Sequence, residues 1–139
     1  MIFGDMRGGI DCLRKHGELH EIDAEVDWDV ELGTITRRAI GSGKGSALLF
    51  KNIKGYTSGR CTQVFVGSMS TYSRIALMFG LPKDAPITDL VKAVRAMFKR
   101  RVPPVVVETG SVKENVLKGE DIDLFEFPVP RWNRKDGGR

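Results

Sequence analysis

The stretch ELHEIDAEVDWDVELGTITRRAI, residues 18–40, changes its apolar period halfway along. Over ELHEIDAEV, Ile22, Ala24 and Val26 alternate with Glu21, Asp23 and Glu25, with Leu19 out of phase before them. Period two with one wet side predicts a strand. From Trp28 the spacing widens. Trp28, Leu32, Ile35 and Ala39 recur at intervals of 4, 3 and 4, the stripe of an amphipathic helix over about 28–40. Asp27 stands where an N-cap is needed. Asp29 and Glu31 near the start, with Arg37 and Arg38 in the last turn, complement the helix dipole.

Working outward, DMRGGIDCLRKH (5–16) predicts a short helix with Met6, Ile10 and Leu13 on one face, ended by Gly17. Beyond residue 40, GSGKGS (41–46) is a flexible loop, and ALLFKNI (47–53) and CTQVFVG (61–67) read as strands. STYSRIALMF (70–79) is a helix stopped by Gly80 and Pro82. Thr88 is placed to cap a helix over 89–100 with Leu90, Val91, Val94, Met97 and Phe98 inward. VPPVVVET (102–109) is extended and β-branched, its two prolines favouring the start or edge of a strand. A further short strand is expected around 112–117, then a turn at Gly119 and an extended arm. Irregularly interleaved helices and strands predict an α+β (α/β layered) fold, one small mixed sheet packed against three to four helices. The expected division is an N-terminal α/β domain over 1–120 and an arm and connector over 121–139.

Composition excludes several classes. At 139 residues, with 41% hydrophobic and 29% charged residues, the chain reads as soluble and globular. No apolar run approaches the roughly 20 residues of a membrane span, and MIFGDMRGGID lacks the apolar stretch of a signal peptide. Cys12 and Cys61 are expected as free thiols of a cytoplasmic protein. The net charge is +4, and residues 131–139 hold most of it, with Arg131, Arg134, Lys135 and Arg139 against Asp136.

Four motifs invite a chemical reading, and spacing rejects the first three. GSGKGS resembles a phosphate loop, but a P-loop has Gly where this chain has Arg38 and Ser or Thr where it has Gly45. Asp27, Asp29 and Glu31 alternate like a calcium loop, yet Leu32 and Arg38 occupy the positions needing Gly and Glu. His16 and His20 are four apart, but Gly17 ends the helix between them and no third ligand stands at motif spacing. The fourth is the tail. Trp132 among Arg131, Arg134 and Lys135 has the chemistry to stack a base and neutralise phosphates, though no basic face supports it. No residue qualifies as catalytic, cofactor-binding or metal-binding.

Taken in order, LRKHGELHEIDAEVDWDVELGTITRRAI, ALLFKNIKGY, SRIALMFGLPKD, PPVVVETGSVKENVLKGEDIDLFEFPVPRW and DGGR resemble the N-terminal region of the UbiD family of decarboxylases. ELGTITRR, KENVLKGEDIDLFEFPVP and the following DGGR carry the specificity. The family often has His where this chain has Asn133, and MIFGDMRGGID departs from its smoother N-terminal helix. The resemblance implies an enzyme adding or removing carboxylate on aromatic, heteroaromatic or α,β-unsaturated acids. It implies prenylated FMN, a divalent metal (Mn) and potassium in the complete enzyme, and a cytoplasmic homo-oligomer. It also implies that the DGG turn leads into a flavin-binding domain, with the metal ligands and a Glu–Arg–Glu catalytic set beyond Arg139. On that reading this chain alone is inactive, its partner is the flavin-binding domain or subunit, and Leu124, Phe125, Phe127 and Trp132 of the arm form the docking segment. Two alternatives stand beside it. One is a stand-alone binding module whose basic tail contacts nucleic acid or another polyanion. The other is a structural or regulatory subunit of a multi-subunit carboxylase.

Overall fold

The computed structural model describes residues 3–41, 43 and 45–136. Its centre is the run Ala47–Phe50, strand β2, with every side chain buried. β1 (Leu19–Ile22) pairs with it in parallel, Leu19 opposite Ala47 and Ile22 opposite Phe50. β3 (Val64–Val66) pairs antiparallel on the other side, Leu48 opposite Val66 and Phe50 opposite Val64. The result is a three-stranded mixed sheet in the order β1-β2-β3. An unbroken apolar strand signals a sheet covered on both faces, and three of the four α-helices supply the cover, α1 (Met6–Lys15), α2 (Glu31–Ile40) and α3 (Tyr72–Met78), while α4 (Ile87–Lys99) contributes no residue to either core cluster.

Alternation along β2 sorts the core into two layers. Leu48 and Phe50 join Val26, Leu32, Ile53 and Tyr56, with Trp28, Ile35 and Ala39 packed against them. Ala47 faces the opposite way, into a cluster with Leu13 of α1 and Leu77 of α3. Leu19, out of phase in the sequence, belongs to this second layer, while Ile22 belongs to the first. Truncating Phe50 to Ala would cost about 3–5 kcal/mol on these grounds.

The α1 and α3 layer is locked by similar helix ends. Gly17 and Gly80 have φ of +69° and +71°. Glu18 N–H donates to Leu13 O and Leu81 N–H to Ala76 O, closing paired Schellman turns. Between them lies Arg74, fully buried, whose Nη1 donates to Gly45 O at 2.6 Å and Glu18 Oε2 at 3.2 Å. Lys83 Nζ binds the other Glu18 oxygen at 2.7 Å. A buried cation needs such partners, and these tie α3 to the β1 and β2 entries.

The structure corrects several expectations. The helix predicted over 28–40 begins only at Glu31, and Asp27 does not cap it. The Asp27 carboxylate instead accepts from Asp29 N–H, and Val30 sits at φ 69°, ψ −35° with Glu31 N–H donating to Asp29 O. That is a γ-turn, strained for a β-branched residue. Residues 28–30 are held there because their backbone pairs with Arg131: Arg131 N–H donates to Trp28 O at 3.1 Å and Val30 N–H to Arg131 O at 2.9 Å. A contact about a hundred residues away in sequence thus overrides the local cap. β1 also ends at Ile22, with pairing resuming only as a Val26–Ile53 bridge, and Ala24 faces solvent. Met6 is exposed too, because Leu13 and Gly9 fill the contact face of α1.

Helix α4 starts at Ile87 after Pro86, whose ring presets φ at −58°, so Thr88 lies inside the first turn rather than at the cap. Of its predicted inward stripe only Leu90 is buried; Val91 and Met97 are about half exposed and Phe98 82% exposed. Neither 102–109 nor 112–117 forms a strand, since neither finds a ladder partner among the described residues. Val106 is 95% exposed, and Ser111–Lys113 closes into a single 3-10 turn. Every residue from Arg95 to Phe127 is exposed. No helix among the described residues is long and apolar enough to cross a membrane.

Gly33 tests the packing. A Cβ there would lie 2.9 Å from Trp132 Cα and press on its carbonyl. Gly33→Ala is expected to destabilise the chain by about 1–3 kcal/mol in urea titrations. In a helix without that neighbour the same change would stabilise it by up to about 1 kcal/mol, so the sign reports whether the arm packs on α2.

Candidate functional site

The acidic positions singled out in the sequence are engaged in holding the fold. Lys54 Nζ binds Asp27 at 2.8 Å, Arg131 Nη2 binds Asp29 at 2.5 Å, and the Glu31 carboxylate accepts from Asp27 N–H. His16 Nδ1 pairs with Cys12 O at 2.8 Å, while His20 is exposed on β1. No group of three His, Cys, Asp or Glu side chains among the described residues comes together to hold a metal ion. Of the glycine-rich loop, Ser42 and Lys44 lie outside the described residues, and the Gly45 carbonyl is occupied by Arg74. Cys12 and Cys61 are free thiols.

The arm is the feature with unsatisfied surface. Two 3-10 turns, Gly119–Asp121 and Leu124–Glu126, shape it, the second held by Asp123, whose carboxylate accepts from Phe125 N–H at 2.8 Å. Tyr56 OH donates to Phe125 O at 2.9 Å, and Arg60 binds Glu126 at 3.3 Å. Pro128 is buried, and Arg131 closes the clamp on residues 28–30. Fastened at both ends, the arm curls around a hollow of about 570 Å³ lined by Ile122, Leu124, Phe125, Phe127 and Val129, with Asp123 and Arg131 at its polar edge. Leu124 is 72% exposed and Phe125 61%. A hollow of this size and apolarity suits a protruding apolar group.

The tail beyond is an ordered turn. Asp136 accepts from Trp132 N–H at 2.9 Å and Asn133 N–H at 3.2 Å, and Asn133 Oδ1 accepts from Lys135 N–H. With Arg131 paired to Asp29, the basic cluster read from the sequence is broken up, and the polyanion-binding alternative is not favoured. Residues 137–139, the end of the predicted DGGR turn, lie outside the described residues. Sequence reasoning missed Tyr56 and Gly33. A glycine inside an otherwise periodic helix is a signal of close packing and could have marked the second.

Together these features define a small α+β domain with a closed core and an open apolar arm. A family model described as the 3-octaprenyl-4-hydroxybenzoate carboxy-lyase N-terminal domain matches residues 10–94, and the chain belongs to this family, the UbiD decarboxylases. It is 39% identical over 141 residues to a pyrrole-2-carboxylic acid decarboxylase of Pseudomonas aeruginosa, covering 97% of this chain and 28% of the relative. It superposes with a TM-score of 0.84 on the vanillic acid decarboxylase of Sedimentibacter hydroxybenzoicus in open form, at 32% identity, over 99% of this chain and 30% of that one. An evolved dimeric UbiD-class enzyme HmfF of Pelotomaculum thermopropionicum, solved with prFMN, gives 0.72 at 25% identity, over 92% of this chain and 28% of that one. The chain therefore spans less than a third of the length of these relatives.

Electrostatics at the clamp make a pH prediction. Lys54 beside Asp27, helped by the Asp29 N–H, holds the Asp27 carboxyl below its ordinary value of 3.8. A depressed folded pKa contributes stability above the unfolded value and loses it as pH falls through the folded one. Thermal melts between about pH 6 and about pH 2 should show the wild-type chain losing stability more steeply than Asp27→Asn. Parallel acid limbs would mean that the Lys54 pair is not held in solution.

Proposed function

We propose that this chain is the N-terminal domain of a UbiD-class reversible decarboxylase acting on aromatic, heteroaromatic or α,β-unsaturated carboxylic acids. Its part is to pack against the flavin-binding domain and form one wall of the cleft. The observation that carries this reading is the unbroken exposure of residues 95–127, an apolar-rich excursion that is anchored at Tyr56 and Arg131 yet left exposed by the described residues. On this reading residues 1–120 form the N-terminal domain and 121–139 the arm and connector, with the contact surface extending back to α4. The relatives that act on pyrrole-2-carboxylic, phenolic and vanillic acids support the substrate class.

The residues present do not fit the cofactors. No cluster of ligating side chains among the described residues suits a divalent cation, and the glycine loop precedes a strand, leaving its amides without the helix N-terminus that favours a flavin phosphate. On this reading the flavin-binding domain of the complete enzyme would hold prenylated FMN, the divalent metal and potassium, and no catalytic residue is assigned to this chain. The domain contributes position and the exclusion of water. Homo-oligomerisation through the complete enzyme and a cytoplasmic location complete the proposal, the latter supported by the two free thiols.

Purified alone, the chain should be colourless and without decarboxylase activity. Joined to a UbiD-class flavin-binding domain, it should yield an active flavoprotein. Ile122→Asp with Leu124→Asp, both on exposed arm positions, should leave the melting temperature of the isolated chain unchanged. The same pair should lower kcat/KM of the joined enzyme by roughly tenfold or more, the equivalent of about 1.4 kcal/mol of docking. Flavin retained by the isolated chain through gel filtration would overturn the proposal.

A further inference from the structure

We infer that residues 105–109 dock by strand addition, pairing their backbone with an open sheet edge of the flavin-binding domain. This rests on the docking role proposed above and adds the form that the contact takes. The segment lies between α4 and the arm, and both neighbours are fastened to the domain. Leu90 is the buried residue of α4, and Tyr56 OH holds Phe125 O at 2.9 Å.

The backbone of the segment is unused. Residues 101–107 lie in no helix, strand or turn. Among the described residues, no N–H or carbonyl from 101 to 109 joins a backbone hydrogen bond, and one carbonyl, Glu108 O, accepts from Lys113 Nζ at 3.1 Å. The side chains beside these groups are apolar and open: Val105 is 83% exposed, Val106 95% and Val107 66%. A contact that buried the valines would bury their peptide groups too, at a cost unless those groups were paired. The partner must therefore bring donors and acceptors as well as apolar surface. A sheet edge brings both in register, whereas the backbone groups along a helix are already paired within it.

The sequence sets where pairing begins. Neither Pro103 nor Pro104 has an N–H, and each holds the residue before it extended. Val105 is the first donor. Along an extended run the N–H groups of Val105, Val107 and Thr109 point to one edge and those of Val106 and Glu108 to the other. β-branched residues at 105, 106, 107 and 109 favour the pleated form. Three successive valines place apolar side chains on both faces, the pattern of β2, whose two faces are buried. The chain's own sheet ends in β1 and β3, and residues 105–109 pair with neither. The edge they need comes from elsewhere in the enzyme, since this chain spans less than a third of the length of its decarboxylase relatives. Continuity with the arm assigns that edge to the flavin-binding domain rather than to a second copy of this chain.

Residue-resolved hydrogen exchange on the chain joined to a UbiD-class flavin-binding domain provides the test. The amides of Val105, Val106 and Val107 should exchange at least about a hundredfold more slowly than in the chain alone. Val106→Pro removes one ladder donor at an exposed position and should leave the melting temperature of the chain alone unchanged. In the joined enzyme it should speed exchange at Val105 and Val107 by about tenfold. Val106→Thr, which keeps the N–H and the β-branch, should preserve their protection. Rapid exchange at 105–107 beside protection at 122–129 would overturn strand addition and leave the docking role standing. Rapid exchange in both segments would overturn the two together. Equal effects of the proline and threonine variants would contradict the inference. So would protection in the chain alone that rises with its concentration, because the strand would then pair with a second copy.

Discussion

Strand β2 is buried on both faces, and the rest of the molecule follows from that constraint. Leu48 and Phe50 require α2 and the Val26–Ile53 extension on one side, and Ala47 requires α1 and α3 on the other. Once those helices have covered the sheet, the apolar residues of α1, α2 and α3 are largely used. Those of α4 and residues 100–127 are not. An apolar face that the core does not need and the described residues do not cover is the physical basis for the proposal that this domain packs against another.

The second constraint is the clamp between residues 28–30 and Arg131. It accepts a strained γ-turn at Val30 and displaces the start of α2, and in exchange fixes where the chain leaves the domain. The arginine pairing with Asp29, the close approach of Trp132 to Gly33 and the Asp136 turn all hold the same exit. Because the arm is fastened here and at Tyr56, its hollow is presented in a set orientation rather than as a loose tail.

Much of the fold was legible in the sequence. The apolar run at 47–50 marked a buried strand, the 28–39 stripe marked the face that covers it, and Gly17 and Gly80 marked helix ends. Two of the failures share one cause. Periodicity shows that a side is apolar, but not whether its partner lies in the same chain, so the α4 stripe points to a burial that only Leu90 reaches. The same holds for 102–109, where β-branched residues met no neighbouring strand. At Asp27 a local capping rule lost to a long-range backbone pairing. The tail's charge misled in another way, because a tally of cations does not show that Arg131 already has an acid. Family membership was legible from ordered motifs.

Hydrogen–deuterium exchange read residue by residue tests the central claim most directly. The chain alone should exchange rapidly over 100–127 while β2 remains protected, and joining it to a flavin-binding domain should protect 100–127 without altering β2. Protection of 100–127 in the isolated chain, or its continued rapid exchange in the joined enzyme, would contradict the account.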